Sequence, residues 1–190
     1  MGKEKYLNKV MSLFNKSPIV KYDSIKRITK SNYSKQVVRN LLKKGKIKKL
    51  AKGCYSIHED PSLIVFCLQG YLGLQNALSF HRLWEQETVP IIITSAKIRN
   101  GIRIINGMNV LVRKIDKKYL FGFEYYKDGD FYFPYSDMEK TFIDLVYFKL
   151  HIDKEVLQEF RKKIDRKKLN SYLKRYPKKF REKVLAVMKG

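Results

Sequence analysis

The side chains best suited to reading DNA bases occur together in residues 31–43. Arginine forms paired hydrogen bonds with guanine, and glutamine and asparagine do so with adenine. A helical projection gathers such side chains on one polar, acid-free face: Asn32, Gln36, Arg39, Asn40 and Lys43. Tyr33 and Lys35 lie beside it and are expected to contact DNA as well. The pattern is typical of a recognition helix, although a small helical hairpin with a solvated lysine face has the same composition.

The same stretch has the signals that a helix needs at both ends. Ser31 and Asn32 predict its start and Gly45 its stop, because glycine readily takes the left-handed conformation that follows a helix. The predicted inner face consists of Ser34, Val38, Leu41 and Leu42, with Val37 at its edge. Asp23 predicts the start of a shorter helix before it. The two helices predict a helix-turn-helix.

A short basic hairpin is predicted directly after the second helix. Apolar residues indicate its strands: Ile47, Leu50, Tyr55 and Ile57. The turn is expected at Ala51-Lys52-Gly53. Lys48, Lys49 and Lys52 would contact phosphate while the second helix enters the major groove. Residues 22–57 therefore predict a winged helix-turn-helix with double-stranded DNA as its partner.

The charge balance favours a polyanionic partner. The 190 residues include 41 Lys and Arg against 18 Asp and Glu, a formal net charge of +23. Residues 1–58 hold 16 basic and 2 acidic side chains, and residues 149–190 hold 15 and 5. An excess of lysine without matching acids favours nucleic acid. The basic C-terminal residues have two interpretations, a solvated surface or a second face that extends the DNA footprint.

An alternative function, a Mg²⁺-dependent nuclease, depends on acidic residues in the middle of the chain: Glu124, Asp130, Asp137, Glu139 and Asp144. Carboxylates grouped at a sheet edge can hold Mg²⁺ for phosphodiester cleavage, and Lys127 and Lys140 are nearby in sequence. A structural interpretation is favoured. Ser136 and Glu139 have the spacing of a capping box at a helix start, and Asp144 lies one turn from Lys140. No catalytic residue is assigned.

Other residues that could bind metal or act as nucleophiles have no functional spacing. His58, His81 and His151 are scattered, and His81 is expected to be a hydrogen-bonded histidine on an apolar helix face. Cys54 and Cys67 form no C-x-x-C pair, so neither a disulfide framework nor a zinc site is expected. We therefore expect no cofactor and no enzymatic activity.

The expected location is the cytoplasm. The N-terminal residues lack the apolar run of a signal peptide or membrane anchor. The cysteine usage fits a reducing compartment. No membrane partner is expected, and the chain is expected to be a monomer or a weak dimer.

Beyond residue 58, strand patterns are followed by helix patterns. Short apolar runs predict an antiparallel sheet: residues 89–94, 102–105, 108–112, 120–125 and 130–133. Asn106-Gly107 and Asp128-Gly129 are the expected hairpin turns. Amphipathic helices are predicted next: residues 136–147, 154–164, 168–176 and 180–188. The fold class is therefore α+β, with a winged helix-turn-helix domain at 1–58 and a domain of antiparallel strands with C-terminal helices at 59–190.

Four segments carry a resemblance to a known family. They are G-C-Y-S-I at residues 53–57, Asp60-Pro61, the predicted helix at 74–83 and D-M-E-K-T-F-I-D at 137–144. They resemble the AbiEi-type antitoxins of type IV toxin–antitoxin systems, in which proline often stands at the position of Met138. The resemblance implies a repressor that binds inverted repeats in its own promoter. It also implies a second domain that counters a nucleotidyltransferase-type toxin without requiring a stable complex.

Overall fold

The computed structural model describes residues 2–29, 33–86 and 88–189, which divide into two units. The first comprises Met1–Leu68 and Arg103–Val110, and the second comprises Gln69–Ile102 and Leu111–Gly190. The main segment of the first unit thus extends beyond the boundary predicted after residue 58. Helices and strands occur in both units, which confirms the predicted mixed α+β class.

Helices and a small sheet alternate in the first unit. Its helices are α1 (Gly2–Lys16), α2 (Tyr22–Thr29), α3 (Ser34–Lys43) and α4 (Ile64–Leu68). Its strands are β1 (Val20–Lys21), β2 (Lys48–Ala51) and β3 (Cys54–Ser56). The three strands are antiparallel neighbours in the order β1-β3-β2.

The helices of the first unit form around apolar residues that recur on one side of each helix. These residues are buried in one common core with Tyr55 of β3: Val10, Phe14, Ile25, Val37, Val38 and Leu41. Ser34 is also buried and Leu42 is half-buried, so the predicted inner face of α3 is confirmed, with Val37 inside it. The hydroxyls of Tyr22 and Ser34 lie 2.7 Å apart and join α2 to α3.

The end of α3 follows the sequence signal. Gly45 has a φ of +64°, and its backbone N–H donates to the carbonyl of Leu42 at 3.0 Å. The predicted left-handed stop is therefore confirmed. The predicted start residues Ser31 and Asn32 lie outside the described residues. Tyr33 occupies the position before α3 and provides no side-chain cap.

The two cysteines overturn one expectation. Cys54 on β3 and Cys67 on α4 form a disulfide, with Cα atoms 6.1 Å apart. The expectation of no disulfide is wrong because it relied on spacing along the chain, whereas these residues meet through the packing of α4 against the hairpin. Both residues belong to the first unit.

A sheet and the remaining helices make up most of the second unit. The strands are β4 (Tyr71–Leu72), β5 (Ile91–Thr94), β6 (Gly101–Ile105), β7 (Met108–Lys114), β8 (Phe123–Asp128) and β9 (Phe131–Ser136). Their order is β6-β7-β5-β4-β9-β8. The tip of the β6–β7 hairpin, Arg103–Val110, belongs to the first unit.

The sheet is mixed, which corrects the predicted antiparallel domain. Strand β5 pairs with β7 in parallel, and so does β4 with β9. Both predicted hairpin turns are present: Asn106-Gly107 joins the neighbouring strands β6 and β7, and Asp128-Gly129 lies between the antiparallel strands β8 and β9. Turn residues specify only such local pairs, however. The position of β5 depends instead on contacts with residues distant in sequence, which bury the strand along its whole length.

One predicted strand is displaced. Residues 120–125 were expected to form it, but a 3₁₀ turn occupies Lys117–Tyr119 and β8 begins only at Phe123. Gly122 explains the shift because its φ of +70° is not a strand conformation. A side chain there would also approach Lys140 and Tyr172 to 2.9 Å.

Five helices complete the second unit: α5 (Gln75–Phe80), α6 (Met138–Tyr147), α7 (Lys154–Lys163), α8 (Arg166–Leu173) and α9 (Lys178–Lys189). Residues 139–146 of α6 are all buried, so α6 is the central helix of this unit. Helices α5, α7 and α8 contact it directly. Within the described ranges, no helix combines the length and apolar character needed to cross a membrane.

Gly70 should be intolerant of a side chain. A Cβ atom there would lie 2.2 Å from the backbone oxygen of Ile93 on the buried strand β5. We expect Gly70→Ala to lower the free energy of unfolding by about 1–3 kcal/mol, because backbone must move to relieve the overlap. Denaturant unfolding of the whole chain measures this. Ser171→Ala, at an exposed position of α8, is the control and should change stability by less than about 0.5 kcal/mol. Equal stability of the two variants would contradict the prediction.

Candidate nucleic-acid interface

The outer face of α3 carries residues that were predicted to contact DNA. Five of them are exposed to solvent: Lys35, Gln36, Arg39, Asn40 and Lys43. The opposite face packs into the core of the first unit, so this orientation is fixed by burial. A polar ridge about two and a half turns long therefore projects from the unit.

Two of these side chains contact each other. The Gln36 amide donates to the Asn40 carbonyl oxygen at 3.3 Å, which is the contact expected one helical turn apart. The electrostatic setting is uniformly positive, since the sequence has no acidic residue between Asp23 and Glu59. An anion approaching this ridge therefore meets no nearby carboxylate on the same segment.

The hairpin lysines have different surroundings. Lys49 and Lys52 are exposed on β2 and at the turn, whereas Lys48 is half-buried and forms an ion pair with Glu59. The hydrogen bond from Lys48 lowers the pKa of the Glu59 carboxyl. The turn itself is held to α2, because the Tyr22 N–H donates to the Gly53 carbonyl at 2.8 Å. Lys49 and Lys52 are thus the hairpin lysines open to a phosphate.

The other predicted residues and their neighbours complete the surface. Tyr33 is half-buried, and Asn32 lies outside the described residues. A cavity of about 180 Å³ opens beside α3 and is lined by Leu7, Tyr33, Val37, Asn40, Leu41, Lys44 and Lys46. Lys44 and Lys46 were not among the predicted contacts, although both are exposed. The sequence could have indicated them, because they flank Gly45 at the end of the predicted helix and so lie next to the predicted contact residues.

The five acidic residues of the nuclease alternative lie in two different settings. Glu124 and Asp130 are exposed on the β8–β9 hairpin, whereas Asp137, Glu139 and Asp144 are buried on or beside α6. Among the residues that the structure describes, no three His, Cys, Asp or Glu side chains form a group that could hold a metal ion.

The buried acids at the start of α6 have specific partners. Asp137 caps the helix by accepting from the Lys140 N–H at 2.8 Å, and it also accepts from the Tyr172 hydroxyl at 2.7 Å. Lys168 lies 3.1 Å from Asp137 and 3.3 Å from Glu139. Burial alone lowers the pKa of Lys168, but the hydrogen bond and charge of Asp137 outweigh it, so the net shift is upward. The three groups tie α8 to α6.

The predicted capping box is wrong. Ser136 is the last residue of β9, and its hydroxyl lies 2.7 Å from that of Thr141. Glu139 accepts from the Asp165 N–H at 2.9 Å instead of reaching back to the helix start. The sequence spacing fits either Ser136 or Asp137 as the cap. Because Ser136 is still part of strand β9, the cap is Asp137.

The predicted pairing of Lys140 with Asp144 is confirmed, in a completely buried setting. Both side chains have no exposed surface, and the Tyr71 hydroxyl donates to Asp144 at 2.6 Å. Burial disfavours both charges, so it lowers the pKa of Lys140 and raises the pKa of Asp144. The pair, with Tyr71, joins α6 to β4.

The hydrogen bond expected of His81 is present, but the residue follows the end of α5 and does not lie in the core. Its Nε2 lies 2.8 Å from the backbone oxygen of Ser136, and the ring is half-buried. His151 is exposed and lies 3.3 Å from Asp153. Neither ring faces a group of metal-binding side chains among the described residues.

The comparisons with known proteins establish the fold. No protein-family model matches the chain, and no curated protein matches it. Among solved structures it is similar to the crystal structure of the RV2827C protein from Mycobacterium tuberculosis, with a TM-score of 0.61 and 12% sequence identity. The match covers 97% of this chain and 76% of that chain. At this identity the similarity shows a shared α+β fold alone.

The buried pair on α6 gives a prediction about stability. Lys140→Met leaves the Asp144 carboxylate buried without its cation and should cost about 3–5 kcal/mol of unfolding free energy. Asp144→Leu should have a comparable effect, because it leaves the ammonium group unpaired. The double variant Lys140→Met/Asp144→Leu should lose clearly less than the two single losses added together. Denaturant unfolding of all four proteins measures this, and strictly additive losses would contradict it.

Proposed function

We propose that this chain is a sequence-specific, double-stranded DNA-binding transcriptional regulator. The observation that carries the proposal is the exposed, acid-free outer face of α3, with Gln36, Arg39 and Asn40 at its centre. These side chains have the hydrogen-bonding groups that distinguish guanine and adenine in the major groove.

The topology of the first unit supports a winged helix-turn-helix. The order α1, β1, α2, α3, β2, β3 and the strand order β1-β3-β2 are those expected for such a domain. In this arrangement α3 enters the major groove and the β2–β3 hairpin touches the DNA backbone. Lys49 and Lys52 are exposed for that contact.

The antitoxin part of the proposal rests on the resemblance to AbiEi-type proteins. On this proposal the regulator binds inverted repeats in its own promoter in the cytoplasm, as a monomer or weak dimer. The second unit then counters a nucleotidyltransferase-type toxin. The D-M-E-K-T-F-I-D segment contributes Asp137, Lys140 and Asp144 to a buried network. The structural role of this motif therefore supports the proposal that the second unit shares its architecture with AbiEi-type proteins.

The nuclease alternative has less support. Asp137 and Glu139 are engaged by Lys168, and Asp144 is engaged by Lys140 and Tyr71. A catalytic carboxylate needs free oxygen atoms for Mg²⁺. The oxygen atoms of these three acids are already bound by protein groups. We therefore favour the regulator over the nuclease.

Base reading can be tested at Arg39. Arg39→Ala should weaken binding to the cognate promoter site by about 1–3 kcal/mol and relax the preference at one base pair. Arg39→Lys is the matched control, because it retains the charge but loses the planar, two-pronged donor. It should bind non-cognate DNA like the parent and still lose discrimination. Gel shifts on cognate and scrambled fragments measure both quantities. If Arg39→Ala discriminates between the fragments as the parent does, α3 is not the reading helix.

Phosphate binding by the hairpin gives a separate prediction. Lys49→Ala/Lys52→Ala should weaken binding to all double-stranded sequences alike. The slope of log K against log salt should become shallower by about 0.9 for each phosphate that a lysine no longer neutralises. Lys48→Ala is the comparison variant and should change the slope less, because Lys48 is paired with Glu59. An unchanged slope in the double variant would show that the hairpin stays away from the DNA.

A further inference from the structure

Two exposed tyrosines stand out on the β8–β9 hairpin of the second unit. Tyr125 and Tyr132 each have 61% of their surface exposed, and they are the exposed aromatic residues among the described side chains. Tyrosine combines a large apolar ring with a polar hydroxyl group and is enriched at binding interfaces. Two such rings on one surface are a candidate contact area for a ligand.

The strand register sets both rings on one face of the hairpin. Tyr125 is opposite Pro134, and Lys127 is opposite Tyr132. Residues opposite each other or two apart share a face, so Tyr125 and Tyr132 are diagonal neighbours with Lys127 beside them. Diagonal neighbours in an antiparallel pair lie about 7–8 Å apart. Both rings can thus contact the same base or successive bases of one strand.

The other face of the hairpin has a different role. Tyr126 and Tyr135 pack there on Phe80, with ring centroids 5.0 and 4.2 Å away. The two acids of strand β8 also lie on that face: Glu124 accepts from the Tyr126 hydroxyl at 2.9 Å, and Asp128 from the Tyr135 hydroxyl at 2.6 Å. Lys127 is therefore the charged side chain that shares a face with the exposed tyrosines.

We propose that Tyr125, Lys127 and Tyr132, which we call the tyrosine face, bind single-stranded nucleic acid. The two rings stack on unpaired bases, and Lys127 contacts the backbone phosphate. Base–aromatic stacking tolerates any sequence, because every base has a flat π-surface. Lys127 is the charge that this face presents, and it suits an anionic backbone, because Glu124 and Asp128 lie on the opposite face of the hairpin. This site goes beyond the regulator proposed above, since it lies in the second unit and takes unpaired bases instead of a duplex.

Stacking can be separated from charge with two labelled 12-nucleotide strands, one with normal bases and one abasic throughout. Fluorescence anisotropy of the full-length parent should show at least about tenfold tighter binding to the normal strand, since each stacked base contributes about 1–3 kcal/mol. Tyr125→Ala/Tyr132→Ala should lose this difference while its salt dependence stays the same. Lys127→Ala should instead make the salt slope shallower by about 0.7.

Two further variants control for shape and folding. Tyr125→Phe/Tyr132→Phe retains the rings and should bind like the parent, whereas Tyr125→Leu/Tyr132→Leu retains apolar surface without rings and should bind like the alanine variant. All variants should keep the parent's affinity for double-stranded promoter DNA, which Arg39→Ala affects instead. A result that contradicts the single-strand site can therefore be distinguished from a result that contradicts the proposed regulator function.

Three results would overturn the proposal. One is equal binding of the normal and abasic strands by the parent, a comparison that requires no variant and so no assumption about folding. Another is parental affinity of the leucine variant for the normal strand. The third is unchanged strand binding by the alanine variant together with reduced self-association in sedimentation, which would identify the tyrosine face as a protein interface.

Discussion

A lysine and an aspartate sealed inside the second unit constrain the rest of that unit. Removing two charges from water costs several kcal/mol per ion unless each is fully paired. Lys140 and Asp144 therefore require one another, and Asp144 also requires the Tyr71 hydroxyl on β4. The arrangement fixes how α6 meets the sheet. Glu139 and Asp137 extend the same network to α8 through Lys168.

This use of acids also shapes the surface. Asp137, Glu139 and Asp144 are buried with cations, and Glu124 and Asp128 accept hydrogen bonds from tyrosines on their own face of the hairpin. The positive charge of the second unit comes from residues 149–190, which hold 15 basic against 5 acidic side chains. The first unit reaches the same result more directly, because it has no acid between Asp23 and Glu59. Both units therefore present positive surface by different means.

Local signals predicted local structure well. The helical period fixed which face of α3 is buried, Gly45 ended the helix, and Asp128-Gly129 joined β8 to β9. Contacts between distant residues were not predictable in this way. The parallel pairings of β4 and β5, the Cys54–Cys67 bond and the Lys48–Glu59 pair all depend on what packing brings together. The exposure of Tyr125 could not be predicted from the sequence either. The alternation of side chains along a strand assigns them to two faces but does not show which face is covered.

The charge of the chain sets a requirement on its proposed role. Lysines on many surfaces bind any polyanion, so affinity alone cannot select a promoter. Discrimination must come from the few side chains that reach base edges. On the proposed function, Gln36, Arg39 and Asn40 would contribute about 1–3 kcal/mol each, which is about 3–9 kcal/mol together. Specific sites are typically preferred over other DNA by about 4–10 kcal/mol. The two ranges overlap, so three such residues on one exposed helix face would supply most of the discrimination that the proposed regulator needs, provided that the lysines around them contact phosphate equally on every sequence.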